Sequence, residues 1–331
     1  MKTKNHLKLV KHVLLYVTFF AIHSAVAQSP IHIQESIHIG GIKQFISIHG
    51  NDDSLPLLVF LHGGPGGSVM SYADKFSTKL QKHFVVIQWD QRETGRTLQQ
   101  NASPVPLTLD LFKNDTRELI RNLLKRFQQQ KMYLVGHSWG TVLGFHIARE
   151  YPELLYAFIA VGPMVNQLES ERILLRMMKE KGVQTRNEKE LKELNTVNIP
   201  FENGMQLYYQ RKWLFEFNGS SRKISRDIIL NWSETWLAIY NEAAKDNLFE
   251  SLPSIHCPVY FFAGRKDWQT NSTLTETYYR MLTAPKKNLF WFERSAHAIP
   301  TREPDLFQTI IIENILPETY PAIPKSKVIE N

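Results

Sequence analysis

The sequence has very little cysteine, since Cys257 is the only one among 331 residues. A single thiol cannot form a disulfide within the chain, so the fold must be stable without covalent cross-links. An oxidising compartment is therefore tolerated but not exploited. We interpret Cys257 as a small buried residue at the start of a strand.

The leader of the chain lacks the roughly 20 consecutive apolar residues that a membrane-spanning helix needs. A basic segment at 1–12 precedes a shorter apolar run at 13–21, and the polar pair His23-Ser24 follows. Ala25-Val26-Ala27 then offers the small residues of a cleavage site. We predict a signal peptide cleaved after Ala27 and a periplasmic or secreted protein without a stable membrane span. Retention as a membrane anchor is the less favoured alternative.

Excess charge is also scarce once the leader is set aside. The net charge of +7 falls to +3 without the four lysines of the first 27 residues, which contain no acid. So small a surplus does not point to a nucleic-acid partner. Apolar residues, in contrast, are plentiful: 43% hydrophobic and 11% aromatic content is enough for the core of a globular protein.

Apolar runs of strand length alternate with helical patterns along most of the chain. Residues 31–39 and 42–49 alternate apolar and polar around Gly40-Gly41, which predicts a hairpin of two edge strands. The later runs at 56–61 and 84–89 are almost continuously apolar, as in strands covered on both faces, and further strands follow along the chain. These strands are predicted at 56–61, 84–89, 132–135, 157–161, 258–263 and 288–292, and helices at 72–80, 109–127, 141–150, 272–282 and 304–315. This order is typical of an α/β fold with a mostly parallel sheet and helices on both faces.

The pattern changes between residues 166 and 247, where charged and aromatic residues recur at helical spacing. We predict an inserted helical cap over this segment. The core domain would then comprise 28–165 and 248–331, following a signal peptide at 1–27.

The pentapeptide Gly136-His137-Ser138-Trp139-Gly140 fits G-x-S-x-G, the nucleophile elbow of α/β-hydrolases. A serine on a tight strand-to-helix turn has a strained backbone, and glycines beside it let the strand and the helix approach each other. The pentapeptide alone is a weak signal, and an ordinary turn of small residues is the alternative. Its position after a predicted strand and before a predicted helix favours the elbow, with Ser138 as nucleophile.

The base can be chosen by elimination, because in this fold the order along the chain is serine, acid, histidine. Of the histidines after Ser138, His146 lies within a predicted helix and His256 precedes its strand. His297 follows the strand at 288–292 by a short loop. We therefore predict that His297 takes the proton from Ser138 and returns it to the leaving group.

The acid follows from the same order. Asp227 and Asp246 lie in the predicted cap, whereas Asp267 comes just after the strand at 258–263. A carboxylate there can accept from the imidazole and fix its tautomer. Capping of the next helix is the alternative role, but Asn271 and Ser272 lie closer to that helix.

The segment Leu61-His62-Gly63-Gly64-Pro65-Gly66-Gly67 follows the strand at 56–61. A glycine-rich loop there lets backbone N–H groups point at a developing oxyanion. We predict an oxyanion hole made of the N–H groups of Gly64 and Trp139, with His62 as a structural residue that hydrogen-bonds the loop. A phosphate cradle is disfavoured because the loop lacks the G-K-[ST] ending.

Five segments taken together resemble the proline iminopeptidase (prolyl aminopeptidase) branch of the α/β-hydrolases, from about Ile37 to the C-terminal helix. They are His62-Gly63-Gly64-Pro65-Gly66, Trp89-Asp90-Gln91-Arg92, Gly136-His137-Ser138-Trp139-Gly140, Gly264-Arg265-Lys266-Asp267 and Ala296-His297. The resemblance implies an α/β-hydrolase fold and an enzyme without cofactor or metal. It also implies release of an N-terminal residue, often proline, with acidic cap residues holding the free α-ammonium group.

Two departures from this branch leave the shape of one loop open. Glu93 stands where the family usually has glycine, and Thr97 where serine is usual.

The cap also aligns poorly. Glu216 and Glu234 lie in aromatic-rich stretches and are the candidates for substrate binding, although solvated or paired helix carboxylates would look the same.

The leading hypothesis is an aminopeptidase that acts on short peptides through an acyl-enzyme on Ser138. An esterase or amidase acting on small esters or amides is the alternative, because this fold hosts many substrates. Epoxide hydrolases and dehalogenases of this fold carry aspartate where this sequence has Ser138. A non-catalytic binding protein would be expected to lack a member of the triad.

Overall fold

The computed structural model describes residues 30–219 and 223–320. The predicted signal peptide at 1–27 lies outside these residues. Within the described ranges, no helix is both long and apolar enough to cross a bilayer.

In the described part of the chain, eight strands form one sheet in the order β1-β2-β4-β3-β5-β6-β7-β8. The first two strands are antiparallel to each other, and β2 is antiparallel to β4. All the other neighbours are parallel. The strands are β1 Ile31–Ile39, β2 Ile42–Gly50, β3 Leu57–Leu61, β4 Val85–Trp89, β5 Met132–His137, β6 Leu155–Val161, β7 Val259–Gly264 and β8 Lys287–Phe292.

The α-helices cover both faces of this sheet and form the cap. They are α1 Asp74–Ser77, α2 Gly95–Gln100, α3 Leu109–Arg126, α4 Trp139–Glu150, α5 Gln167–Gln184, α6 Glu188–Leu194, α7 Gly204–Phe217, α8 Arg226–Ala244, α9 Leu248–Ser251, α10 Ser272–Met281, α11 Ile299–Arg302, α12 Pro304–Thr309 and α13 Leu316–Thr319. Single 3₁₀ turns occur at Leu80–Lys82 and Pro152–Leu154, and a π-helical turn at Ile310–Ile315.

The parallel strands β3 to β7 are buried on both faces, as their apolar runs predicted, whereas the edge strand β8 is only partly buried. In β3, Leu57, Val59 and Leu61 pack into one hydrophobic cluster, while Leu58 and Phe60 pack into the cluster on the opposite face. Helices therefore cover both sides of the sheet. The carboxyl ends of β3, β5, β6, β7 and β8 consequently meet at one edge, where the loops that follow them can form a site.

Two local predictions were wrong. The hairpin forms as predicted, but of its two strands β1 alone lies at an edge of the sheet, because β2 also pairs with β4, with Ile48 opposite Ile87. The helix predicted at 72–80 is reduced to α1 and a separate 3₁₀ turn. The hydroxyls of Ser77 and Thr78 donate to carbonyls four residues earlier, a pattern that weakens a helix.

The described residues between β6 and β7 form helices α5 to α9. A β-bridge joins Asn166 to Asn247, so the chain leaves the sheet and returns to it at neighbouring points. The exact limits of the core and cap domains, 166–247 for the cap, stay a prediction.

Cys257 is buried near the start of β7 and has no disulfide partner. Burial raises the pKa of its thiol to about 12. The thiol therefore stays protonated at neutral pH, as expected of a structural cysteine.

Candidate active site

Ser138 lies on the turn between β5 and α4, and its backbone is strained. Its φ of 53° and ψ of −119° are unusual for a residue with a side chain. A Cβ on Gly136 would lie 2.6 Å from the carbonyl oxygen of Gly140, and one on Gly140 would lie 2.0 Å from that of Leu61. Only glycine fits these two positions. The Ser138 side chain makes no capping bond to α4, so its hydroxyl is not used to stabilise the helix.

Asp267 lies in the loop after β7 and accepts a hydrogen bond of 2.8 Å from Nδ1 of His297. The same carboxylate accepts from the backbone N–H groups of Gln269 and Thr270 and from the Thr270 hydroxyl, at 3.0, 3.1 and 2.8 Å. Burial would raise the pKa of Asp267, but the neighbouring His297 and these hydrogen bonds outweigh burial and lower it. Asp267 therefore stays ionised and orients the imidazole.

Asp267 is not the cap of the next helix. The N-terminus of α10 is capped by Asn271, whose side chain accepts from the N–H groups of Thr273 and Leu274. The alternative role considered for Asp267 is thus filled by another residue. Because Nδ1 of His297 donates to Asp267, Nε2 is the nitrogen that can accept a proton.

The backbone of the elbow lies beside this acid–base pair. The N–H of Ser138 donates to the carbonyl of Val161 at 2.9 Å. A Cβ on the next residue, Gly162, would lie 3.2 Å from both Asp267 and His297. Among the described residues, no hydrogen bond joins the Ser138 hydroxyl to the His297 ring. In ligand-free enzymes this bond is often long and forms when substrate binds.

His137, which sequence analysis gave no role, holds the loop that carries His297. Its Nε2 donates to the backbone carbonyl of His297 at 2.9 Å, and the two rings have centroids 5.1 Å apart. Burial first, and the charge of His297 second, lower the pKa of His137 to about 4. His137 is therefore neutral at neutral pH. Its place beside Ser138 in the motif was the only available signal.

The glycine-rich loop lies against the elbow. A Cβ on Gly63 would lie 3.2 Å from Cβ of Ser138, and Gly64 has a φ of 119°, which favours glycine. Trp139 is the first residue of α4, and the first N–H groups of a helix have no acceptor within it. The structure thus brings both predicted oxyanion-hole segments, Gly64 and Trp139, to the serine. Their role as donors stays a prediction.

His62 and Gln91 hold the base of this loop together. Nδ1 of His62 donates to the carbonyl of Gly63 at 2.9 Å, and Nε2 accepts from the N–H of Gln91 at 3.2 Å. The Gln91 side chain donates to the His62 carbonyl at 3.2 Å and accepts from the Trp139 indole at 3.0 Å. Burial lowers the pKa of His62, so its ring is neutral. Gln91 thus links the segments that carry the two predicted oxyanion donors.

Of the two departures from the family pattern, Glu93 adopts a backbone conformation that favours glycine, whereas Thr97 makes hydrogen bonds that a serine could also make. Glu93 has a φ of 56°, the left-handed conformation in which glycine is favoured, and its carboxylate accepts from the N–H of Ser103. Thr97 donates to the carbonyl of Asp90 at 2.6 Å and accepts from the N–H of Phe45 at 2.8 Å. A serine hydroxyl could make the same two bonds, so threonine replaces it without loss.

The candidate substrate-binding residues are both exposed: Glu216 lies in α7 and Glu234 in α8. No contact described for either residue connects it to the triad, so a role in binding stays a prediction. Glu171 and Glu190 are the buried carboxylates in the described part of the cap, and sequence analysis missed both. Glu171 accepts hydrogen bonds from Arg211, Tyr240 and Gln167. All of these bonds are internal to the cap, which indicates a structural role.

A cavity of about 220 Å³ lies beside Asp267 and His297. Leu214 and Phe215 of α7 and Trp268 of the loop after β7 line it together with alanines on either side of His297. The wall is mostly apolar. A wall of this kind can hold a small apolar group beside the imidazole of His297.

Comparison with known proteins identifies the family of the chain. Residues 53–305 match the family described as "Serine aminopeptidase, S33". "Probable aminopeptidase YbaC" of Bacillus subtilis (strain 168) is 30% identical over 303 residues, which cover 84% of this chain and 94% of that protein. "Proline iminopeptidase" of Heyndrickxia coagulans is 27% identical over 285 residues, which cover 82% and 94% of the two chains.

Solved structures show the same fold at low sequence identity. The proline iminopeptidase of Mycobacterium smegmatis has a TM-score of 0.61 and 17% identity, and the match covers 87% of this chain and 99% of that one. A thermophilic esterase from Thermogutta terrifontis has a TM-score of 0.55 and 18% identity, with coverage of 88% and 100%. The resemblance noted in the sequence is confirmed, and the chain belongs to the S33 serine aminopeptidase family of α/β-hydrolases.

Proposed function

We propose that this protein is an exported serine aminopeptidase of the proline iminopeptidase type. It releases N-terminal residues from short peptides through an acyl-enzyme on Ser138. The observation that carries the proposal is the hydrogen bond of 2.8 Å between His297 and the buried, ionised Asp267, beside an elbow that presents a strained serine. A pair of this kind activates a hydroxyl for nucleophilic attack.

In the proposed reaction, the Ser138 hydroxyl attacks the carbonyl carbon of the first peptide bond while Nε2 of His297 takes its proton. The tetrahedral oxyanion accepts hydrogen bonds from the N–H groups of Gly64 and Trp139. The C–N bond then breaks as His297 gives its proton to the leaving amine. Water, deprotonated by His297, attacks the acyl carbon in turn; the bond from this carbon to Oγ of Ser138 then breaks, His297 returns the proton to Oγ, and the amino acid is released.

The cap supports action on short peptides. Its helix α7 lines the cavity beside His297, so the approach to the triad is bordered by the cap as well as by the sheet loops. Relatives named an aminopeptidase and a proline iminopeptidase, each matched over most of its length, point to the same class of reaction.

An esterase or amidase is the second candidate, and one observation favours it. Among the described residues that line the cavity, the only carboxylate is Asp267, which already accepts a hydrogen bond from His297. An aminopeptidase needs a negative group for the substrate ammonium, and the two candidates Glu216 and Glu234 are exposed. A neutral acyl group would need no such partner.

A matched set of substrates separates these candidates. The purified protein should cleave proline and alanine p-nitroanilides, and it should cleave N-acetyl-alanine p-nitroanilide about 10- to 100-fold more slowly, because acetylation removes a charge-assisted hydrogen bond. Release of p-nitroaniline at 405 nm is the measurement, with p-nitrophenyl butyrate as the ester control. Turnover of the ester alone, with no N-terminal residue released from any peptide, would show that the protein is not an aminopeptidase.

Export is part of the proposal and has its own test. The full chain, expressed in a bacterial host with a periplasm, should be recovered outside the cytoplasm with Gln28 as its first residue. N-terminal sequencing of the recovered protein provides the measurement. Recovery of the uncleaved chain from the membrane fraction would favour the anchor instead.

A further inference from the structure

The glycine-rich loop after β3 is bonded to the cap as well as to the core. The indole Nε1 of Trp232, in α8, donates to the backbone carbonyl of Pro65 at 2.8 Å. Pro65 directly follows Gly64, the predicted oxyanion donor. Glycine-rich segments have many accessible conformations, so neighbouring groups must fix the direction of the Gly64 N–H.

A second tryptophan of α8 packs against the same loop. Trp236 lies one helical turn after Trp232 and is buried. A Cβ on Gly66 would lie 2.6 Å from its Nε1, so the indole and the loop backbone are in close contact. Residues four apart share a helix face, and this face of α8 therefore lies on the loop.

The same face also reaches the second predicted donor. The ring of Trp236 packs on Phe112, with centroids 5.9 Å apart, and Phe112 packs edge-to-face on Trp139 at 5.7 Å. One helix of the cap is thus in contact with Pro65 and Gly66 on one side and, through Phe112, with Trp139 on the other. The position of α8 is coupled to both halves of the predicted oxyanion hole.

We propose that Trp232 is a positioning residue, whose indole N–H fixes the loop so that the Gly64 N–H points at the oxyanion. The inference rests on the proposed Ser138 chemistry. An oxyanion hole stabilises the transition state much more than it stabilises bound substrate. Loss of the Trp232 hydrogen bond should therefore lower kcat and leave KM almost unchanged.

The test removes the N–H and keeps an aromatic ring. Trp232→Phe should lower kcat about 10- to 100-fold with KM almost unchanged, because a misplaced donor weakens transition-state binding. The rate of reaction with a fluorophosphonate should fall in parallel. Trp213→Phe is the matched control, since the Trp213 indole also donates within the cap, to Glu193 at 2.8 Å, and among the described residues its hydrogen bond does not involve the loop. Its kcat should equal that of the wild type.

Several results would overturn this assignment. They are an unchanged kcat in Trp232→Phe, an equal loss in both tryptophan variants, or a change confined to KM.

If Trp232→Phe does not fold, Gly66→Ala displaces the loop from Trp236 and should lower kcat in the same way. Kinetics are measured on whichever substrate the wild type hydrolyses, peptide or ester. Failure of the wild type to react with any substrate or fluorophosphonate counts against the proposed function, whereas an active wild type with an equally active Trp232→Phe counts only against this inference.

Discussion

Ser138→Ala should abolish labelling by a fluorophosphonate and lower kcat by about 10⁶-fold, the scale of loss found when a catalytic serine is removed. Alanine retains the Cβ of serine. We therefore expect the φ of 53° and the packing of the elbow to be the same in the variant as in the wild type. The expected loss therefore reports the missing hydroxyl and not an altered fold. Active-site labelling followed by gel fluorescence, together with steady-state kinetics, provides the measurement.

A second buried serine supplies the control for this experiment. Ser77 lies in α1, where its hydroxyl donates to the carbonyl of Ala73 at 2.8 Å. Ser77→Ala should be labelled like the wild type. Labelling that persists unchanged in Ser138→Ala would show that the nucleophile is a different residue.

Asp267→Asn should lower kcat by about 10⁴-fold at neutral pH while the protein remains folded. The asparagine amide can donate to Nδ1 of His297, which would place the ring proton on Nε2, the nitrogen that has to accept from Ser138. Steady-state kinetics on the same substrate provide the measurement. Asp227→Asn, on the cap surface, is the control and should keep full activity. Activity of Asp267→Asn close to that of the wild type would remove Asp267 from the triad.

The same variant should change how stability depends on pH. The folded pKa of Asp267 is lowered, so its ionisation stabilises the native state above the ordinary aspartate pKa of about 3.9. This stabilisation is lost as the pH falls through the lower folded value. The difference in free energy of unfolding between wild type and Asp267→Asn should therefore narrow below about pH 4. Urea denaturation at several pH values measures it.

The sheet, the elbow and the pairing of Asp267 with His297 could be predicted from the sequence, whereas their catalytic roles stay predictions. Most residues of each buried parallel strand are apolar, and the elbow is one pentapeptide whose glycines are required because a Cβ on Gly136 or Gly140 would lie 2.6 or 2.0 Å from a backbone oxygen. Asp267 and His297 follow from chain order, since parallel strands end at one edge. Position relative to a strand end was enough to choose them among the other acids and histidines.

The cap could not be predicted in the same detail, because its contacts join residues far apart in sequence. Helical periodicity identifies a face of α8 but not what that face packs on, and Trp232 meets Pro65 only in the folded chain. Glu216 and Glu234 were chosen for their aromatic neighbours, although those neighbours can be buried while the carboxylate is exposed. Nothing in the sequence around Glu171 marks it as the buried partner of Arg211.

The bridge between Asn166 and Asn247 bears on how this enzyme can diversify. An insertion whose two ends are adjacent can be lengthened, shortened or exchanged without displacing the strands on either side. Substrate preference can thus evolve, or be engineered, as a module while the reacting groups stay in place. A transplanted cap would still need a hydrogen-bond donor for the Pro65 carbonyl, because it would replace α8, whose Trp232 donates to that carbonyl.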